Sequence, residues 1–134
     1  MKLSSAKSTA LKGAINVPGD KSISHRALLI SSQAIGTSKI TGLLEGEDVL
    51  ATAAALRSMG VGIEKVDDVY EVKGVGVGGL QEPDNVLDMG NTGTGCRLLM
   101  GLVSTQGANV FFTGDESLRG RPMDRVTIPL TQMG

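Results

Sequence analysis

Apolar positions along the chain change period several times, and each change marks an element. Ala14 to Val17 (AINV) is a short apolar run stopped by Pro18-Gly19, which predicts a strand. With Ser22 or a neighbour as cap, apolar residues at helical spacing then carry a helix to about Ile35, and Gly36 ends it. KITGL, Lys39 to Leu43, reads as a strand. EDVLATAAALRSM, Glu47 to Met59, is Ala-rich with apolar residues three and four apart, and Gly60 sits where the left-handed residue after a helix belongs. VGIEKV and YEVKGV follow as two strands joined by the acidic turn Asp67-Asp68. The first half therefore predicts the order β-α-β-α-β-β.

The second half repeats that order. Gly19 and Gly90 lie 71 positions apart, as do Arg26 and Arg97, and the offset drifts to 72 for Gly42 and Gly114 and to 74 for Met59-Gly60 and Met133-Gly134. Internal similarity of this kind marks a duplicated supersecondary unit. One copy runs over about 14–80 and a second over about 85–134. The first continues past Met59-Gly60 into two strands, whereas the sequence stops at Met133-Gly134. The second copy is thus read as incomplete, and the chain as the front part of something longer. The fold class expected is α/β, of the α+β kind, built from one complete and one incomplete copy.

Composition narrows the function. Among 134 residues only 2% are aromatic while 19 are glycine, so the core must come from Leu, Val, Ile, Ala and Met, as in helices packed on a sheet with tight connections. No window approaches the roughly 20 apolar residues of a membrane helix. MKLSSAKSTALKG has lysines but no apolar block of signal-peptide length, which with the lone Cys96 predicts a cytoplasmic protein. One histidine and one cysteine supply no metal-ligand cluster. A net charge of −1 argues against nucleic acid as the partner, so local basic clusters call for a smaller anion.

Those clusters sit at predicted helix starts. In PGDKSISHR, Pro18 to Arg26, Lys21 supplies a point charge, Ser22 and Ser24 short donors, and Arg26 a planar fork, beside the unpaired N–H groups and partial positive charge of a helix N-terminus. The plain reading is a serine cap with two surface cations. The repeated position is GNTGTGCR, Gly90 to Arg97, whose glycines let backbone N–H groups approach a ligand. It matches neither the dinucleotide fingerprint nor the phosphate-binding P-loop. Two donor-rich helix starts at one end of a domain suit ligands with several anionic groups. GDESLRGRPMDR, Gly114 to Arg125, reads mostly as a solvated loop with local ion pairs, although Arg121, extended before Pro122, can reach the same site. His25 lacks an obvious carboxylate to make it a general base, and Cys96 reads as a small buried filler rather than a reactive thiol.

Taken together, PGDKSISHR, LLEGEDV, GNTGTGCR and GD-x-S-L-x-x-RPM resemble, in order and spacing, the N-terminal part of the EPSP synthase (3-phosphoshikimate 1-carboxyvinyltransferase) family, over nearly the whole chain. The first motif separates it from the related UDP-N-acetylglucosamine enolpyruvyl transferases. The resemblance implies a transferase that moves the enolpyruvyl group of phosphoenolpyruvate to the 5-hydroxyl of shikimate 3-phosphate, releasing phosphate, on the route to aromatic amino acids. It implies an inside-out α/β barrel of repeated β-α-β-α-β-β units, with residues 1–13 as a leading segment that pairs with the other domain and 14–134 as a partial first domain. Lys21 would touch both substrates, Ser22 and Arg26 shikimate 3-phosphate, and Gly93 and Arg121 phosphoenolpyruvate, with Asn91 and Thr94 supporting that wall. No cofactor or metal is implied. The acid-base residues lie in the C-terminal part, which is the remaining partner of this segment, so the segment alone is not expected to catalyse.

Thr92 and Leu98 depart from the family's commonest second motif and, with Asp20 and His25, resemble the subgroup that contains glyphosate-tolerant enzymes. Gly93 leaves the phosphoenolpyruvate side without an intruding methyl, which predicts glyphosate binding by the whole enzyme. The competing readings are a stand-alone module that binds a phosphorylated metabolite without chemistry, and an interaction protein whose open sheet edge accepts a partner strand.

Overall fold

A computed structural model describes residues 3–134. Its elements are α1 (Lys21–Gln33), β1 (Ile35–Thr41), α2 (Glu47–Ser58), β2 (Gly62–Val66), β3 (Val69–Val75), β4 (Leu87–Asp88), α3 (Gly93–Val103), β5 (Phe112–Thr113), α4 (Glu116–Arg119) and α5 (Asp124–Met133). The class is mixed α/β, as the sequence predicts.

β3 is the central strand of an antiparallel sheet, pairing β1 in the register Ile35 to Val75 and β2 in the register Gly62 to Lys73. Its side chains alternate: Tyr70 and Val72 are buried, while Glu71 and Lys73 face outward and Glu71 pairs with Lys39 at 3.0 Å. The turn at Asp67-Asp68 is tight, with Asp67 at φ 53, a left-handed conformation its short polar side chain tolerates. α1 and α2 lie on the inner face, and Leu28, Val49, Ala53, Leu56, Met59, Ile63, Tyr70, Val72 and Leu99 form one core with it. α2 ends as the sequence indicates. Gly60 at φ 91 donates to the Arg57 carbonyl at 3.0 Å, and Val61 donates to Leu56 at 3.1 Å, which satisfies the helix's last carbonyls.

Two expectations move and a third is narrowed. Residues 14–17 form no strand: Ile15 is 88% and Val17 78% exposed, and an apolar run with no neighbouring strand has nothing to pair with. Residues 3–20 are extended and without regular structure; of the leading segment 1–13, residues 1 and 2 lie outside the described residues. The first helix ends at Gln33, and Gly36 belongs to β1, which starts at Ile35 rather than Lys39. Of Ser22 and its neighbours the cap of α1 is Asp20: a carboxylate can accept from the free N–H groups of the first turn, and its Oδ1 takes Ile23 N at 2.8 Å.

β4 and β5 pair in parallel across α3, whereas no strand precedes α1 among the described residues. In the first half a Cβ on Gly19 would land on the Gly42 carbonyl oxygen, and in the second a Cβ on Gly114 would land on the Gly90 carbonyl oxygen. The glycine pairs aligned by the sequence offset thus hold the entry of each helix against the end of the following strand. Each helix also carries an arginine bonded back one turn, Arg26 Nη1 to the Ser22 carbonyl at 3.0 Å and Arg97 Nη1 to the Gly93 carbonyl at 3.3 Å.

Candidate functional site

Lys21, Ser22 and Arg26 occupy the exposed side of the first turns of α1. Asp48, in the first turn of α2, accepts from Lys21 Nζ on Oδ2 at 2.9 Å. With the two side chains 52% and 29% exposed, such a pair contributes at most about 1 kcal/mol to stability. Its consequence is aim: it fixes the direction of the ammonium and leaves two of its three donors free. Ser24 is not available as a ligand donor. It is buried, its hydroxyl donates to the Asp20 carbonyl at 2.8 Å and accepts from Leu44 N at 2.9 Å, so it ties α1 to the segment after β1.

The start of α3 meets the same aspartate. Thr92 Oγ1 donates to the Asp48 main-chain carbonyl at 3.2 Å, joined there by Thr52 Oγ1 at 3.3 Å. Beneath this junction His25 is fully buried, with Nδ1 2.9 Å from Thr52 Oγ1. Because the threonine hydroxyl donates to Asp48, its oxygen accepts from Nδ1–H, which leaves the lone pair on Nε2, an atom with no partner. Burial pushes the ring's pKa down, Asp48 opposes this, and Lys21 and Arg26 add to it. A neutral ring serves as a packed tie rather than a base.

Arg121 lies across the face of Gly93, where a Cβ would come within 2.6 Å of Nη1. Its Nη2 donates to Asn91 Oδ1 and to Ser117 Oγ at 3.1 Å, and Nη1 reaches the Asn91 carbonyl at 3.4 Å. Asn91 in turn donates from Nδ2 to Asp115 Oδ2 at 2.6 Å. Thr94 is exposed on the first turn of α3. Arg97 is half-buried and donates to the Pro122 carbonyl at 2.9 Å, so it clamps the loop rather than facing a ligand. The expected ion pairs of residues 114–125 do not form among the described residues, whose salt bridges are Lys21–Asp48, Lys39–Glu71 and Lys65–Glu45. Asp115 instead caps α4, accepting from Leu118 N at 2.7 Å. Burial raises the Cys96 thiol's pKa despite Arg97, as befits a filler. No group of three His, Cys, Asp or Glu among the described residues is placed to hold a metal ion.

Residues 5–134 match the family model described as EPSP synthase (3-phosphoshikimate 1-carboxyvinyltransferase). The chain belongs to the EPSP synthase family. Curated relatives named 3-phosphoshikimate 1-carboxyvinyltransferase include those of Paramagnetospirillum magneticum, 59% identical over 98% of this chain, and Sphingopyxis alaskensis, 60% identical over 95%. The chain spans only 30% and 29% of their lengths. A solved EPSP synthase from Acinetobacter baumannii superimposes with a TM-score of 0.86 at 50% identity, over 91% of this chain and 28% of that one.

All seven residues picked out by the EPSP synthase resemblance thus lie at two helix starts and the loop beside them, with Lys21 tied to the first turn of α2 and Gly93, Asn91 and Arg121 in contact. Asp48, Thr92 and Asp115 organise them and were missed. For Asp48 the signal was present in LLEGEDV, an acidic pair opening a helix. Nothing in the linear order says which cation it would face.

Proposed function

We propose that this chain is the segment of a 3-phosphoshikimate 1-carboxyvinyltransferase that receives the anionic groups of its two substrates, shikimate 3-phosphate and phosphoenolpyruvate. What carries the reading is one arrangement: three helix starts gathered around Asp48, with Lys21 aimed from one and Gly93 under Arg121 at another. Each start offers unpaired N–H groups and a partial positive charge, and the cations add charge-assisted donors. Lys21 contacts both substrates, Ser22 and Arg26 hold the 3-phosphate, and Gly93 and Arg121 line the phosphoenolpyruvate side with Asn91 and Thr94 behind them. Such donors favour the charge that develops as the enolpyruvyl group moves to the 5-hydroxyl and phosphate leaves.

The proton transfers belong to residues of the remaining C-terminal part, so this segment binds without turnover. In this reading residues 14–80 and 85–134 are one complete and one incomplete copy of the repeat of an inside-out α/β barrel. Residues 1–13 then pair with the other domain, in a cytoplasmic enzyme. No described helix is long and apolar enough to cross a membrane. A stand-alone metabolite-binding module draws no support from the relatives.

Titration of the chain with shikimate 3-phosphate, followed by NMR, tests the site. We expect shifts confined to Lys21, Ser22, Arg26 and the stretch Gly90 to Arg97. A folded sample that gives no response overturns the assignment.

A further inference from the structure

The loop carrying Arg121 contains a carboxylate that the binding reading does not use. Asp115 lies on the surface, yet both of its oxygens are committed: Oδ1 accepts from Leu118 N at 2.7 Å and Oδ2 from Asn91 Nδ2 at 2.6 Å. Its main-chain N–H also donates to the Gly90 carbonyl at 2.9 Å, which fastens the loop beside the start of α3. These bonds hold its pKa below the usual carboxylate value, the Leu118 N–H contributing most and Asn91 next, so it is ionised at neutral pH.

An ionised carboxylate can only accept hydrogen bonds, and a guanidinium can only donate them. Asn91 stands between the two. Its amide must turn its NH2 to Asp115 and its oxygen to Arg121, and the reverse orientation would set donor against donor and acceptor against acceptor. The link passes on orientation without a direct ion pair, because Arg121 has no carboxylate within 4.0 Å among the described residues, and Asp115 and Arg121 attract only through space. A direct Asp–Arg pair would fix the guanidinium as well but would take up N–H donors that a bound anion needs.

We infer that Asp115 is a positioning residue that, through the Asn91 amide and without a direct ion pair, aims the Arg121 guanidinium over Gly93. This rests on the reading of Arg121 as part of the phosphoenolpyruvate wall. Asp115→Ser separates the carboxylate's two tasks, since a serine still caps α4 but is too short to reach Asn91.

The link is read without ligand, from the Arg121 Nε–Hε NMR signal of the chain. The signal should move in Asp115→Ser and in Asn91→Ala, and the double variant should add nothing to Asn91→Ala alone. The Leu118 amide signal of Asp115→Ser should stay in place, reporting an intact cap. An unmoved Arg121 signal in Asp115→Ser, or effects that add, overturns the proposal.

Should Asp115→Ser not fold, Asn91→Ala decides: Arg121 must move and the Asp115 carboxyl must titrate at higher pH, and a failure of either sinks the link. In the full-length protein, Asp115→Ser should weaken phosphoenolpyruvate binding about tenfold, the scale of one charge-assisted bond. A moved Arg121 signal with unchanged phosphoenolpyruvate affinity overturns the positioning role through the assignment of Arg121, and leaves a purely structural link.

Discussion

At the scale of single residues, space and charge decide what Gly93 does. An added methyl would meet the Arg121 guanidinium and, at 3.2 Å, Arg97 Nη1, both far ends of flexible side chains, so the fold can accommodate it by letting Arg121 swing away and Arg97 give by a few tenths of an ångström. Gly93→Ala should therefore change stability by no more than about 1 kcal/mol, the scale of a glycine-to-alanine exchange in a helix. In the full-length protein the same variant should weaken both phosphoenolpyruvate binding and inhibition by glyphosate. Unchanged steady-state inhibition would count against the placement of the pocket at Gly93. The places of Lys21, Arg26, Gly93 and Arg121 at two helix starts and the loop beside them were legible in their motifs. Ser24 was misread, because a serine's two hydrogen-bonding roles look the same in sequence whether they face a ligand or, as here, the Asp20 carbonyl and Leu44 N–H.

At the scale of elements, His25 ties α1 to α2 from inside, and its neutral state matters for stability. Burial lowers the folded-state pKa beneath the ordinary 6.5, so below that pH the unfolded chain binds a proton that the folded chain does not. Stability contributed by the neutral ring is complete above about pH 6.5 and is lost as pH falls through the lower folded value, at up to about 1.4 kcal/mol per pH unit. Urea midpoints at pH 7.5, 6.0 and 5.0 should fall in that order for the unaltered chain. For His25→Asn, whose amide keeps the bond to Thr52 but does not titrate, the fall should be shallower, and parallel curves would remove His25 as its source. Periodicity located α2 and the β2–β3 hairpin well, because both bury one face of a regular pattern. It failed for AINV, where the pattern is strand-like but no strand lies alongside.

Across the whole molecule, the segment before α1 differs from the rest. Leu3, Leu11, Ile15 and Val17 are all exposed, and the backbone of residues 3–20 makes no ladder with the core. Brief trypsin digestion should cut after Lys7 or Lys12 before any site beyond Lys21. Early cleavage within α2 or β3 instead would contradict the separation. The residue types at each helix start, the helix and strand periods and the 71-residue offset were determined by the sequence alone, because local propensity, capping and internal similarity are written in linear order. Which groups share hydrogen bonds across elements was decided only by tertiary structure. Lys21 meets Asp48 across 27 positions, and Thr92 meets the same residue across 44. Partners so far apart in sequence are chosen by the packing of α1, α2 and α3 around one core, and that packing is what brings three ordinary helix starts together.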